Sequence, residues 1–290
     1  MNDTTKPSVA LFGVGEMGKP MLRRLLAAGR DVRAVDLDPQ RVVDAGGTPA
    51  SPEGAAVCDV VLLSIRGTPA TVGVAESVLL PAAREGQIIV DTGTVRPKET
   101  RRLAERFAER GATWLDCPVS GGPGGVEQGQ LRVFAGGDRE AVERVRPILA
   151  DVAGPDLITY CGPSGSGQIT KGVNQLMMGL VNAAHLEAIA YGVKLGVDPK
   201  VLREAVGGDG RWREDFGRIA DKVVAGHGRW ETIKYHELPD FIAEAREADM
   251  ELPLATATMA TCRDDLPKVI HDFGKPAPSF WDALLESHPS

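Results

Sequence analysis

Between Ser8 and Asp36 the chain places an apolar run, a glycine-dense turn, a helical run and a second apolar run, an order that few folds accept. Ser8-Val-Ala-Leu-Phe leads directly into Gly13-Val14-Gly15-Glu16-Met17-Gly18, after which Met21, Leu22, Leu25 and Leu26 recur at helical spacing up to Gly29. Residues 32–36 are again strand-like, and Pro39 opens another helix. Strand, tight turn, helix and strand make one βαβ unit of roughly thirty residues. Such a unit implies a parallel sheet with helices covering its faces.

The alternation continues. Residues 59–64 and 87–91 are unbroken apolar runs of the kind buried in parallel sheets, and residues 112–116, 131–135 and 157–161 read as further strands. Residues 69–78 and 98–110 have helical spacing, the second with a charged outer face. The fold class is therefore α/β with a mostly parallel sheet. After Cys161 only helical periodicity remains: a long run over 166–195, then 200–206, 214–224, 235–248 and 254–268. This divides the chain into a dinucleotide-binding domain, 1–162, and an all-helical domain, 163–290. At 1.5 Å per residue the long helix spans roughly 45 Å, more than a small domain, so it belongs to both and links them.

A length of 290 residues with 43% hydrophobic content is enough for two cores. The net charge of −7 argues against nucleic acid and anionic membranes as partners, and no single apolar run approaches the ~20 residues of a membrane span. Cys58, Cys117, Cys161 and Cys262 lack metal-type spacing, and residues 1–7 lack a signal peptide's charged and apolar regions. Reduced cysteines and a cytoplasmic location are expected.

Three motifs carry chemistry. The glycines at 13, 15 and 18 follow a strand and open a helix, so backbone N–H groups can approach a pyrophosphate at the helix N-terminus. Asp36, at the end of the second strand, is placed to accept hydrogen bonds from a ribose diol, which favours NAD; Arg33 and Arg41 leave NADP open. The second motif, Asp116-Cys-Pro-Val-Ser120-Gly121-Gly122-Pro-Gly-Gly125, reads as a glycine-dense loop between strands. Its free N–H groups beside Ser120 suit an acid group, or it is a flexible lid. The third is Gly165-Ser-Gly167-x-x-x-Lys171-x-x-Asn174, on the long helix. A lysine buried there can serve as general acid or base, with Asn174 three residues on the same face; the plain alternative is a lysine reaching solvent.

In this order and spacing the motifs resemble the β-hydroxyacid dehydrogenases, the 3-hydroxyisobutyrate dehydrogenase-like relatives of 6-phosphogluconate dehydrogenase. G-x-G-x-M-G is matched at Gly13, Gly15, Met17 and Gly18, and D-x-P-V-S-G-G at Asp116, Pro118, Val119, Ser120, Gly121 and Gly122. G-x-G-x-x-x-K-x-x-N is matched at Gly165, Gly167, Lys171 and Asn174. The resemblance implies a Rossmann-type doubly wound domain followed by an all-helical substrate and dimerisation domain. It implies Lys171 and Asn174 as catalytic residues and a small acidic substrate held by Ser120, Gly121, Gly122 and Asn174, with Trp212 and His236 contributing. Gly13, Val14, Gly15, Glu16, Met17, Gly18, Asp36, Ser64, Ile65, Thr94 and Lys234 would hold the cofactor.

The chain also departs from the family pattern. Ser64-Ile65-Arg66-Gly67 stands where the family has Leu-Pro after its fourth strand, Gly93 stands for the serine of D-x-S-T, and His236-Glu237-Leu238 replaces Lys-Asp-Leu. Either Lys234 nearby substitutes for that lysine, or His236 defines a subgroup with its own substrate preference. Arg211, Trp212 and Arg213 form a further cluster suited to an anion. The implied activity is hydride transfer between NAD and a β-hydroxy acid or its semialdehyde or keto partner, in a homodimer or homotetramer. An imine reductase of the same fold, or an NAD-binding sensor without turnover, are the alternatives.

Overall fold

The structure is a computed structural model and describes residues 7–225 and 237–260. The chain packs as two units, Met1–Lys171 and Gly172–Ser290. The first contains β1 (Val9–Phe12), α1 (Gly18–Ala27), β2 (Val32–Val35), α2 (Pro39–Asp44), α3 (Pro52–Ala56), β3 (Val60–Leu63), α4 (Thr68–Val74), α5 (Leu80–Ala82) and β4 (Ile88–Asp91). It continues with α6 (Pro97–Ala108), β5 (Thr113–Asp116), β6 (Val119–Ser120), α7 (Gly122–Glu127), β7 (Arg132–Gly136), α8 (Arg139–Val152) and β8 (Ile158–Gly162). The sheet runs β2-β1-β3-β4-β5-β7-β6, with β8 also pairing β7. The first four pairings are parallel, whereas β7 runs antiparallel to β5 and β6.

Strand periodicity divides the core cleanly. Val9, Leu11, Val60, Leu62, Ile88, Val90 and Leu115 point to the face covered by α1, α2, α7 and α8. Ala10, Phe12, Val61, Leu63, Ile89 and Trp114 point to the opposite face, against α3, α5 and α6. Both faces are buried, as parallel strands require, which is why these strands read as unbroken apolar runs. Chain direction diverges at β1, which has β2 on one side and β3 on the other. The crevice at the carboxyl ends of such strands is where open α/β sheets bind ligands.

The glycine-dense run after Asp116 differs from the expected loop: Val119 and Ser120 form a short strand against β7, and residues 122–127 form a helix. Tertiary packing overrides glycine's poor helix propensity here. Val126 is buried in the core, and the Arg24 guanidinium from α1 donates to the Glu127 carbonyl at 3.5 Å and the Asp151 carbonyl at 2.8 Å. Helix α8, to which the sequence reading assigned no element, starts at Asp138, whose carboxylate accepts the Ala141 N–H at 2.7 Å. It buries Val142, Val145, Ile148, Leu149 and Val152 despite its internal Pro147. Among the described residues β6 and helices α3, α5, α7 and α8 are elements that sequence patterning missed.

The second unit holds most of α9 (Ser166–Lys194), then α10 (Pro199–Val206), α11 (Arg211–Val224), α12 (Leu238–Glu247) and α13 (Pro253–Ala260). Its core gathers Leu186, Ile189, Val193, Phe216, Ile219, Leu238 and Ile242. Close approach is bought with small residues: a Cβ on Gly192 would lie 2.7 Å from Leu202 Cδ1, so α10 rests directly on α9. Taken whole, α9 has the length and mean hydropathy, 1.3, of a membrane span, which the run-by-run reading did not register. Only 35% of that apolar window is buried.

Candidate active site

The turn after β1 owes its shape to two of its three glycines. Gly13 has φ +92°, and a Cβ there would stand 2.4 Å from the Ser64 carbonyl oxygen. A Cβ on Gly18 would fall 1.9 Å from the Gly13 oxygen. Gly15 is different, because a Cβ on it would meet nothing within 4 Å. The fold thus requires Gly13 and Gly18, while Gly15 leaves open space at the start of α1, where a dinucleotide's phosphates can come against backbone N–H groups. Val14 points into the core, and Met17 packs on it, so both present backbone rather than side chain.

Asp36 directly follows β2, and its side chain is nearly buried. Its Oδ2 accepts the Val14 N–H at 2.6 Å, and its Oδ1 accepts the Asp38 N–H at 3.0 Å. It therefore braces the glycine turn, and a carboxylate with two donors keeps acceptor capacity for a ribose diol. Asp38 caps α2 by accepting the Gln40 N–H at 3.1 Å. Of the two nearby arginines, Arg33 donates to the Gly54 carbonyl at 2.7 Å, and Arg41 lies 3.7 Å from Asp36. The residues present fit NAD.

Two family departures turn out to be neighbours. Gly93, after β4, approaches the loop after β3 so closely that a Cβ would sit 2.6 Å from the Ile65 carbonyl oxygen. A serine at 93 would collide with the Ile65 carbonyl, so this backbone path requires glycine there. Beside them Arg66 donates to Glu16 at 3.2 Å, an exposed pair joining the loops after β1 and β3. Thr94 is half-buried in the loop after β4.

Helix α9 is fastened to this edge by two acids. Asp91 and Asp116 stand side by side at the ends of β4 and β5, both fully buried. Asp116 caps α9, accepting the Gly165 N–H at 2.9 Å and the Gln168 N–H at 3.0 Å. Burial pushes its carboxyl up, with the N–H groups of Gly165, Gln168 and Gly167 pulling the other way. Burial likewise pushes Asp91 up to about 8; the Gly93 N–H opposes this and the charge of Asp116 adds to it. A Cβ on Gly167 would lie 2.3 Å from the Phe134 oxygen and 2.5 Å from that of Asp116. Gly167 of the third motif thus serves packing, seating α9 on β5 and β7.

Lys171 follows on α9 and is 7% exposed, so the solvent-reaching alternative does not describe it. Asn174, one turn later, donates to Gln175 Oε1 at 3.2 Å and stays half-buried. Gln175 in turn donates to Glu237 at 2.5 Å, and Phe241 packs against Gly172, so α12 lies along α9 within the second unit. Lys234 and His236 lie outside the described residues, as do Cys262 and residues 273–290. Trp212 sits on α11, half-exposed, edge-on to Phe216, with the Arg213 guanidinium 4.8 Å above its ring. Ser120 ends β6, followed by Gly121 at φ +137° and Gly122 at φ +65°.

Sequence reasoning missed Asp91 and Gln168 and gave Asp116 no role of its own. The signal was present: two carboxylates close adjacent buried strands at the same register, a costly placement unless helix N–H groups receive them.

Residues 8–162 match the family model described as the NAD binding domain of 6-phosphogluconate dehydrogenase. Residues 165–225 match that described as NAD-binding of NADP-dependent 3-hydroxyisobutyrate dehydrogenase. The 2-(hydroxymethyl)glutarate dehydrogenase of Eubacterium barkeri is 32% identical over 286 residues, covering 90% of this chain and 93% of its own. The solved structure of Mycobacterium tuberculosis 3-hydroxyisobutyrate dehydrogenase with L-serine superposes at TM-score 0.79 and 25% identity, covering 98% of this chain and all of that one. An imine reductase from Streptomyces aurantiacus, at 20% identity, TM-score 0.63, and coverage of 98% and 100%, shares the fold alone. Matches over both units and across the three motifs place this chain in the β-hydroxyacid dehydrogenase family.

Proposed function

We propose that the chain is an NAD-dependent dehydrogenase of a small β-hydroxy acid, acting in reverse on the semialdehyde or keto partner. One observation carries this reading: an unbroken line of contacts from Asp36 through Val14, Gly13, Ser64, Ile65 and Gly93 to Gln168. It ties the dinucleotide-binding edge to the first turn of α9, and Lys171 is buried one turn beyond.

NAD, held by the Gly13–Gly18 turn and Asp36, would supply the acceptor for the hydride leaving the substrate carbon. In oxidation neutral Lys171 accepts the hydroxyl proton, and in reduction its ammonium returns it. The Ser120 hydroxyl and the N–H groups of Gly121 and Gly122 hold the acid group, and Asn174 orients the hydroxyl. Trp212 and His236 contribute to substrate selection and Lys234 to cofactor contact, by their positions in the family pattern. Asp36 disfavours a 2′-phosphate, so NAD is preferred over NADP.

The test is nicotinamide absorbance with a panel of small hydroxy acids, including phosphonate, sulfonate and amino-bearing analogues, and with both cofactors. Oxidation of at least one acid with a preference for NAD is expected. Reduction of cyclic imines alone supports the imine reductase reading, and cofactor binding with no turnover supports a sensor.

The same proposal extends to assembly. Ile169, Val173, Met177, Val181 and Tyr191 leave an exposed apolar stripe on α9, which suits a second copy of the chain, with α9 a core and interface helix rather than a membrane span. Light scattering should give a dimer or tetramer; a monomer contradicts it. A cytoplasmic location agrees with Cys58, Cys117 and Cys161 being free thiols.

A further inference from the structure

Gln168 lies between the two glycine-bearing turns of the site and is 2% exposed. Its Nε2 donates to the Gly93 carbonyl at 2.9 Å and, more weakly, to Asp91 Oδ2 at 3.5 Å, while its Oε1 accepts the Val95 N–H at 3.1 Å. Its backbone N–H is held by Asp116. One side-chain amide therefore grips the Gly93–Val95 loop on both sides of Thr94, as donor before it and acceptor after it. The loop is anchored from below by Thr92, whose hydroxyl donates to the Leu63 carbonyl at 2.6 Å, and by the Gly93 N–H, which donates to Asp91 at 2.9 Å.

Apart from a protonated glutamate, no other side chain of this length offers both functions. Ionised glutamate only accepts, leucine does neither, and asparagine is a methylene short. The burial makes the choice consequential, since an unmet donor or acceptor in this place is not compensated by water.

We propose that Gln168 is a positioning residue, setting the Thr94 loop in register with the first turn of α9 and thereby fixing Lys171 relative to the nicotinamide-facing edge. The inference rests on the dehydrogenase reading above. Gln168 touches no reacting atom; it acts through the loop on one side and the helix on the other.

The test uses Gln168→Glu and Gln168→Leu in the full chain. The titratable groups around position 168 are Asp91 on β4, Asp116 on β5 and Lys171 one turn along α9, with Cys117 just after β5 facing both acids and Cys161 on β8 facing Asp116. A glutamate among them is buried beside carboxylates, so it takes up a proton more readily than an exposed one. Once protonated it regains the donor to Gly93. Turnover of Q168E relative to wild type should therefore be down about 10-fold at pH 8 and recover toward pH 6. Q168L should be down about 10- to 100-fold at both. NAD affinity should stay within about threefold of wild type in both variants. Amide exchange at Val95 should quicken in Q168L and remain slow in Q168E, which keeps the acceptor.

A Q168E to wild-type ratio that is flat with pH, or an NAD affinity that falls in step with turnover, overturns the positioning role. Unchanged Val95 exchange in Q168L overturns the stitch itself. If Q168L does not fold, the Q168E profile decides. A wild-type protein without turnover overturns the dehydrogenase reading and the catalytic half of this inference, and leaves the Val95 measurement to judge the loop.

Discussion

Two glycine-rich stretches of the first unit differ in the space around them. After β1, Gly13 and Gly18 are demanded by backbone oxygens that would lie 2.4 Å and 1.9 Å from a would-be Cβ, and Gly15 faces open space. After β6, Gly122 and Gly124 both face open space, and the closest contact at Gly121 would be 3.4 Å. The first stretch is thus glycine mainly because the fold needs it. The second is glycine where the fold has room for more, most clearly at Gly124, which sits inside α7 without a left-handed φ. A glycine retained in a helix against its propensity, with nothing near it, is what close approach of a ligand to backbone N–H groups would require.

Substitutions can break this contrast. Gly18→Ala should have the largest effect, because its Cβ would overlap the Gly13 carbonyl: no cooperatively folded protein by circular dichroism. Gly15→Ala should fold and melt within about 3 °C of wild type, yet bind NAD about 10-fold more weakly by titration calorimetry. A Gly15→Ala protein with unchanged affinity would detach the open space from the cofactor. Gly124→Ala should be slightly stabilised, by up to about 1 kcal/mol, while its KM for the hydroxy acid rises about 10-fold. Equal KM values would return the second stretch to the status of a structural turn.

The smallest effect concerns Asp91. Its carboxyl is raised from 3.8 to about 8, so the folded chain binds more protons than the unfolded one across that window. Stability contributed by the protonated form is therefore complete below about pH 4 and is lost as pH rises toward about 8. Asp91→Asn should flatten the decline in melting temperature between pH 5 and pH 8 by a few degrees. An identical decline in the variant would place that pH dependence elsewhere.

Much of the first unit was legible because parallel strands bury both faces and so announce themselves as apolar runs. The long helix was legible for the same reason of periodicity, and its observed span, Ser166–Lys194, follows its apolar spacing. Helices α3, α5, α7 and α8 and strand β6 were not. Residues 122–127 have the composition of a loop, and only Val126 docking in the core and Arg24 gripping the carbonyl end make them helical. Lys171 could be picked out by its motif, but the grip of Gln168 beside it depends on Asp116 at the end of β5 and on the loop after β4, far away in sequence. Gly93 looked like a lost serine until its approach to the Ile65 carbonyl showed that the loop leaves no room for a side chain there.

The account turns on Lys171 as the proton-transferring group of a hydroxy-acid dehydrogenase. Its most direct test is steady-state turnover of Lys171→Ala on the best acid of the panel, with NAD affinity measured on the same preparation. A fall in kcat of about 10²- to 10⁴-fold with NAD affinity essentially unchanged is predicted. Turnover near the wild-type rate would contradict it.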